Sequence, residues 1–462
     1  MSGPAEKTRR GPAGPERRSR SASEVPPLPG THASTSDFDG WEADWFTEVQ
    51  DGSMVLGSRE RLPLAFHCLW FATMLLLGFG LVMIYSVSTA QGFFGENLEA
   101  LDRLKDQALA GGVGIAVMLL ISRLDYRRWR RPIIWISLLA FALLVAVEIP
   151  GIGREANHAT RWIDLGPLPL QPSEVAKLAM LGLAAHLLST RRAEQGRFGV
   201  LFWPLAPVAA VAAILILMQP DLGSTLMIGV VVFGLWWLAG MRLREWGTLA
   251  LLAVSAVGAA ILLSDYRRVR FLAFLDPFAD PTDSGWQIIQ SFLAMSSGGW
   301  WGVGPGRSVQ KFSYLPEAHT DMIFSIVGEE FGFVGVALLI LTFVLLVGCM
   351  LRLAGRCDDA FGRYLAGGVA LLIGGQALIN LGGVMGVLPL TGVPLPLISF
   401  GRTNLVVVLA AVGVVLSVAR YGPVAVTQRI RPKPVEGESS NVAYLDSRRW
   451  DGRARGSRLG HS

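Results

Sequence analysis

Charged side chains set among long apolar runs are the residues of this sequence best suited to chemistry, and they gather in three places. One segment, 265–321, carries Arg267, Arg268 and Arg270, then Asp276-Pro277 and Asp280-Pro281, then Arg307 and Lys311. It closes on Pro316-Glu317-Ala318-His319-Thr320-Asp321. A second group is Gln171-Pro172-Ser173-Glu174 with Lys177, where Glu174 and Lys177 stand three apart and share a helical face. A third is Gln219-Pro220-Asp221-Leu222-Gly223, in which Asp221 starts an apolar run and complements the helix dipole there. A positioned carboxylate can take a proton from an attacking hydroxyl, and a cation can hold a phosphate, so the mixture suits a reaction on an anionic substrate. Plainer roles compete. Glu174 and Lys177 form either a buried pair that fixes packing or a direct substrate contact, and capping is the expected role of Asp221. His319 has no second His or Cys nearby and makes a weak metal ligand. Glu329 and Glu330 lie about two turns into a later apolar helix, where at least one must face protein. Pairing and function both stay open for them.

The elements that position these groups are membrane spans. The chain has 462 residues, 52% hydrophobic and 17% charged, whereas a soluble protein carries about a quarter charged. Apolar stretches run over 62–90, 107–122, 132–147, 173–190, 200–218, 222–241, 248–264, 322–351, 364–387 and 399–419, predicting an all-α polytopic membrane protein of ten helices. An even number puts both termini on one side. That side holds 30 of the 41 Lys and Arg, so the positive-inside rule places both ends in the cytoplasm. The run Arg127–Arg131 is then an ordinary cytoplasmic anchor, and the basic charge calls for no nucleic acid. The expected organisation is a disordered cytoplasmic amino tail over 1–61, a membrane domain over 62–420, and a disordered cytoplasmic carboxyl tail over 421–462. The first stretch is too long for a signal-peptide core and reads as a retained helix. Cys68, Cys349 and Cys357 lie in or beside apolar spans and offer no disulfide framework.

On this topology the 265–321 segment is the longest connection outside. Basic residues there run against the topological bias, and a pyrophosphate at the outer headgroup level would account for them; lipid phosphates are the simpler competitor. Within it, Trp286, Ile289 and Phe292 or Leu293 alternate at helical spacing with Gln287, Gln290 and Ser291, predicting an amphipathic interfacial helix, with a re-entrant segment as the alternative. The Gly-rich run 298–306 lacks the strand and the Lys-Ser/Thr ending of a nucleotide loop, so no organic cofactor is expected.

Several motifs resemble one family. Gln310-Lys311-Phe312, Tyr314-Leu315-Pro316-Glu317-Ala318-His319-Thr320-Asp321 and Gly328-Glu329-Glu330-Phe331-Gly332 are the most specific. Supporting them are Arg161-Trp162-Ile163-Asp164, the Gln171–Lys177 and Gln219–Gly223 groups, and Gly392-Val393-Pro394-Leu395-Pro396. The sequence resembles the SEDS family over nearly all of 62–419, its division-associated FtsW branch more than its elongation-associated RodA branch. One departure is Ser399-Phe400-Gly401-Arg402-Thr403-Asn404, where many members continue Ser-Tyr-Gly-Gly-Ser. Arg402 then either binds a phosphate or pairs with a carboxylate such as Glu330.

The resemblance implies a SEDS-type bundle and an inverting peptidoglycan glycosyltransferase. Its members polymerise lipid II, carried on undecaprenyl pyrophosphate, beside a class B penicillin-binding protein and other division proteins at the septum. It also implies that the essential aspartate is Asp280, because Asp280-Pro281 precedes Gly285-Trp286-Gln287, with Asp276 as the decoy. Asp280 would act as general base. Arg161, Glu174, Lys177, Arg267, Arg270, Arg307, Lys311, His319 and Arg402 are the candidates for holding pyrophosphate or sugar, and Mg2+ or Mn2+ could bridge Asp280 and the diphosphate. The competing readings are a lipid II flippase, an elongation-type polymerase and a recruiting scaffold.

Overall fold

Backbone in hydrocarbon must satisfy its own hydrogen bonds, so long stretches of Leu, Val, Ile and Ala close into helices. The computed structural model describes residues 62–92, 97–156, 159–164, 166, 169–190, 198–312 and 314–422. Both expected tails otherwise lie outside the described residues. The elements run α1 (Leu64–Gly92), α2 (Asn97–Arg123), α3 (Ile133–Ala146), β1 (Gly153–Ala156), β2 (Ala159–Ile163), α4 (Pro172–Thr190), α5 (Phe198–Phe202), α6 (Ala206–Met218) and α7 (Leu222–Leu238). They continue through α8 (Leu243–Leu262), α9 (Asp265–Leu275), α10 (Trp286–Ser297), α11 (Ile323–Arg356), α12 (Ala360–Val384) and α13 (Arg402–Tyr421). All ten expected spans are helical. Helices α1, α2, α8, α11, α12 and α13 are long and apolar enough to cross a bilayer, and α3, α6 and α7 are shorter apolar helices. The tenth, α4, carries the Glu174–Lys177 pair.

The core centres on α12, which is buried along most of its length against α4, α7 and α11, while α13 packs along α2. Helix α8 differs, for it buries none of its residues and presents Leu251, Leu252 and Val254 outward. Its near end is held by Trp246, whose indole donates to the Phe233 carbonyl at 2.9 Å.

Three features depart from the sequence expectations. The fifth span is broken at Trp203-Pro204-Leu205 into α5 and α6, because proline has no N–H to give and its ring crowds the preceding turn. Between α3 and α4, β1 and β2 form an antiparallel hairpin extended by an Ile163–Leu170 bridge, which no alternation in the sequence announced. Helix α10 buries polar Gln290 and Ser291 together with Ile288 and Ala294, while Leu293 is exposed. The Ser291 hydroxyl lies 2.8 Å from the Ser325 hydroxyl and 2.8 Å from the Val384 carbonyl, so its partners sit on α11 and α12 rather than in water.

Helix α11 is interrupted at Gly332, where φ is 65°. A break in a span frees backbone groups that hydrocarbon cannot satisfy. Here the 299–304 segment takes them up. The amides of Val303 and Gly304 donate to the carbonyls of Glu329 and Glu330 at 2.9 and 3.1 Å, and those of Phe333 and Val334 donate to Gly299 and Trp300 at 2.9 and 3.2 Å. A Cβ on residue 332 would press into Gly302 and the Trp300 carbonyl, so only glycine permits this docking.

Candidate functional site

Where α4, α7 and α13 begin, a cavity of about 390 Å3 opens between β2, the 319–320 turn and the 392–403 connection. Of the candidates, Arg161, Glu174, Lys177, His319 and Arg402 line it. Each is fixed by its own element. On β2, Arg161 reaches the turn between α6 and α7 and donates to the carbonyls of Gln219 and Pro220 at 3.0 and 2.5 Å. Pro172 opens α4 and sets Glu174 and Lys177 one turn inside, where both are buried. Lys177 Nζ donates to Glu174 Oε1 at 2.7 Å, and Asn404 Nδ2 of α13 donates to Glu174 Oε2 at 2.8 Å. Asp221 caps α7 as expected, accepting from the Ser224 amide at 2.9 Å, and its other oxygen takes the Ser173 hydroxyl at 3.2 Å.

The cavity holds four cationic side chains, Arg154, Arg161, Lys177 and Arg402, against the two carboxylates of Glu174 and Asp221. Behind the wall Asp164 pairs with Arg154 and Asp106 with Arg402, so the cations are held in place, and their forked N–H groups suit a phosphorylated ligand. Arg402 Nη1 meets Asp106 of α2 at 2.9 Å. Glu330, the carboxylate offered as an example for that pairing, is committed to Lys311 instead: Lys311 Nζ lies 2.9 Å from Glu330 Oε1 and 3.1 Å from Ser86 Oγ, with both charged side chains sealed inside. Lys311 thus sits in the protein core and not on the cavity wall. Glu329 is held without a cation, accepting from Ser308 Oγ at 2.5 Å and the Val309 amide at 2.8 Å. Both glutamates therefore pin the 299–311 segment to α11.

His319 stands on the cavity wall with its ring 5.7 Å from that of Phe400, while its carbonyl accepts from the Phe400 amide at 2.8 Å. Burial keeps the imidazole below its ordinary pKa, so it is neutral at pH 7, and Nδ1 has no hydrogen-bond partner. Behind it, burial pushes the Asp321 carboxyl up to about 6; nearby Glu317 adds to this and Arg270 opposes it.

Asp280, Arg267, Arg270 and Arg307 do not line the cavity. Arg267 reaches back to the Ala260 and Leu217 carbonyls, at 3.3 and 3.5 Å, and Arg307 is exposed beside Gly304. Asp280 follows a short 3-10 turn, Pro277–Ala279, capped by Asp276 through the Phe278 amide at 3.1 Å. Its Oδ2 accepts from the Ser284 amide at 3.3 Å and hydroxyl at 3.0 Å, and these bonds hold its carboxyl below the usual carboxylate range. Gly285 closes the turn by donating to the Asp280 carbonyl at 2.9 Å; a Cβ there would collide with the Asp280 and Pro277 carbonyls.

The model of the family described as "Cell cycle protein", which covers FtsW, RodA and SpoVE, matches residues 66–423. The chain belongs to this family. It is 41% identical over 348 residues to the probable peptidoglycan glycosyltransferase FtsW of Geobacter metallireducens, covering 74% of this chain and 91% of that protein. It is 39% identical to stage V sporulation protein E of Bacillus subtilis, over 76% of this chain and 95% of that one. Among solved structures it is similar to a chain from a peptidoglycan synthase complex that coordinates polymerization and crosslinking, with a TM-score of 0.62, 31% identity, and coverage of 76% and 96%. The rod shape determining protein RodA of Thermus thermophilus superposes with a TM-score of 0.56 at 28% identity, covering 77% of this chain and 97% of that one.

The cationic wall residue Arg154 was not singled out from the sequence, and Thr403 and Asn404 stood only within the departing motif, with no role assigned. Arg154 comes in on the unforeseen hairpin. Thr403 and Asn404 stand at the start of an apolar span, and a polar pair there could have flagged them.

Proposed function

We propose that this membrane protein is a peptidoglycan glycosyltransferase that polymerises lipid II during septal wall synthesis, with its long 265–321 segment outside the cell and both termini in the cytoplasm. The observation that carries this reading is the cavity lined by Arg154, Arg161, Lys177 and Arg402 where α4, α7 and α13 begin, flanked by a segment whose Asp280 is held ionised. The chemistry asks for little more. An acceptor 4-hydroxyl attacks the anomeric carbon of the donor, the bond from that carbon to the diphosphate oxygen breaks, and the centre inverts. The proton passes to Asp280, a step typically worth 10²–10⁴-fold. The diphosphate leaves as an anion, stabilised by cavity cations, and so needs no acid.

Within this reading, Arg161, Lys177 and Arg402 hold the diphosphate from the cavity, while Arg270 and Arg307 meet it from the 265–321 segment. Arg267 and Lys311 act by fixing backbone and segment. Among the described residues no three His, Cys, Asp or Glu side chains come together to cage a metal. A Mg2+ or Mn2+ ion would therefore be held by Asp280 together with diphosphate oxygens, where it would neutralise the leaving group. A class B penicillin-binding protein would cross-link the product.

The test is to reconstitute the purified chain, alone and with a penicillin-binding partner, with labelled lipid II and divalent cation. The expected product is a ladder of glycan strands. Lipid II moved across the bilayer without any polymer would overturn the reading in favour of a transporter.

A further inference from the structure

At the opposite end of the bundle, where α1 begins and α2 and α13 end, a cavity of about 270 Å3 is lined by Phe66, His67 and Trp70 of α1, Leu119 and Ser122 of α2, and Leu416 and Arg420 of α13. Each helix contributes residues about one turn apart. Because α1 enters the bundle at this end while α2 and α13 leave it, higher numbers lie deeper on α1 and lower numbers lie deeper on the other two. The wall is thereby sorted by polarity along the helix axes. Trp70, Leu119 and Leu416 form an apolar deep level, and His67, Ser122 and Arg420 form the outer one together with Phe66, whose ring lies under Arg420.

The charge is sorted as well. Among the described residues no carboxylate lines this cavity. The Arg420 guanidinium stands 5.9 Å from the Phe66 ring centroid, over the cavity mouth. The Ser122 hydroxyl is spent on the Leu119 carbonyl at 2.8 Å, so the outer level offers an anion chiefly Arg420 and His67. Nearby, the Tyr421 hydroxyl ties α13 to the Arg123 carbonyl at 2.8 Å, at the start of the basic Arg123–Arg131 stretch. Trp70 and Phe71 are exposed beside the cavity, as expected of side chains that meet acyl chains and headgroups.

We infer that this cavity is a binding site for one anionic glycerophospholipid, whose phosphate pairs with Arg420 at the outer level and whose acyl chain lies against the exposed Trp70 and Leu119, with the buried Leu416 closing the floor. A partner's transmembrane helix fits less well, since it would bury the Arg420 guanidinium with no opposite charge supplied from the described wall. The site lies at the far end of α13 from the glycosyl-transfer cavity and does not depend on that assignment.

The test uses the full chain purified in mild detergent, stripped of lipid and given phosphatidylglycerol or phosphatidylcholine, with bound lipid counted by native mass spectrometry. The wild type should hold one phosphatidylglycerol in preference to phosphatidylcholine. Arg420→Ala should weaken that preference roughly five- to tenfold, as expected for one cation at the headgroup level, and Leu416→Trp, which fills the deep level, should abolish retention of both lipids. Equal retention of the two lipids by wild type, or full phosphatidylglycerol retention in Arg420→Ala, would overturn the proposal. As a check that does not rely on variant folding, a photo-crosslinking side chain at Trp70 should yield a lipid-sized adduct in cell membranes. A protein-sized adduct there would assign the cavity to a partner helix.

Discussion

Lys177 is placed to act in two ways, as half of a buried ion pair and as a cation facing the cavity, and a double-mutant cycle with Glu174 separates them. Both side chains are at most 4% exposed and their charged atoms lie 2.7 Å apart. Lys177→Met leaves the Glu174 carboxylate buried without its cation, a change that typically costs about 3–5 kcal/mol. The Asn404 amide still donates to Glu174 at 2.8 Å, so the loss should fall near the low end, about 3 kcal/mol. Glu174→Gln with Lys177→Met leaves no uncompensated charge and should recover most of it. The stability arm is thermal unfolding in detergent micelles followed by size-exclusion; the functional arm is glycan length made from lipid II. If Lys177 supports the departing diphosphate, the double variant regains the wild-type unfolding temperature but not polymerisation. Recovery of both together would refute the diphosphate role and leave Lys177 a packing residue.

Other perturbations probe the frame around the site. Gly332→Ala forces a side chain into the left-handed region and against Trp300, and should destabilise by about 1–3 kcal/mol from the backbone alone; Gly348→Ala, in open space on the same helix, should be neutral or stabilising in the same melt. Asp321 holds its proton in the native state up to about pH 6, whereas the unfolded chain releases it near 3.8. Stability gained from that proton is present below pH 4 and lost as pH rises to about 6. Asp321→Asn should therefore melt higher than wild type at pH 8, by roughly 1–2 kcal/mol for its partly exposed carboxyl, and the gain should vanish at pH 4.

The spans were legible because hydropathy and charge bias act on whole segments: each of the ten apolar runs became helical, the fifth as the two helices α5 and α6. Asp221 was legible as a cap because capping is local, and the Glu174–Lys177 pair because a three-residue spacing on a helix is itself a distance. Partnerships across the chain were not. Arg402 finds Asp106, 296 positions away, and Lys311 finds Glu330, two residues before the break at Gly332, so the carboxylate that Arg402 meets is not the Glu330 offered as an example. The inward face of α10 was misread for a related reason: Ser291 is polar, but its partners lie on α11 and α12, and periodicity alone cannot distinguish a wet polar stripe from a bonded one. The hairpin carrying Arg154 and Arg161 gave too little alternation to detect, yet it supplies two cations to the cavity.

Asp280→Asn tests the central claim most directly, since it keeps the shape of the turn at Ser284 while removing the base. With lipid II and partner supplied in excess, the variant should lose polymerisation by about 10²–10⁴-fold at unchanged melting temperature, while Asp276→Asn, altering only the cap on the neighbouring turn, keeps most of it. The wild-type rate should stay flat down to acidic pH, because the Asp280 carboxyl sits below the usual carboxylate range. Normal polymerisation by Asp280→Asn alongside a silent Asp276→Asn would contradict the account.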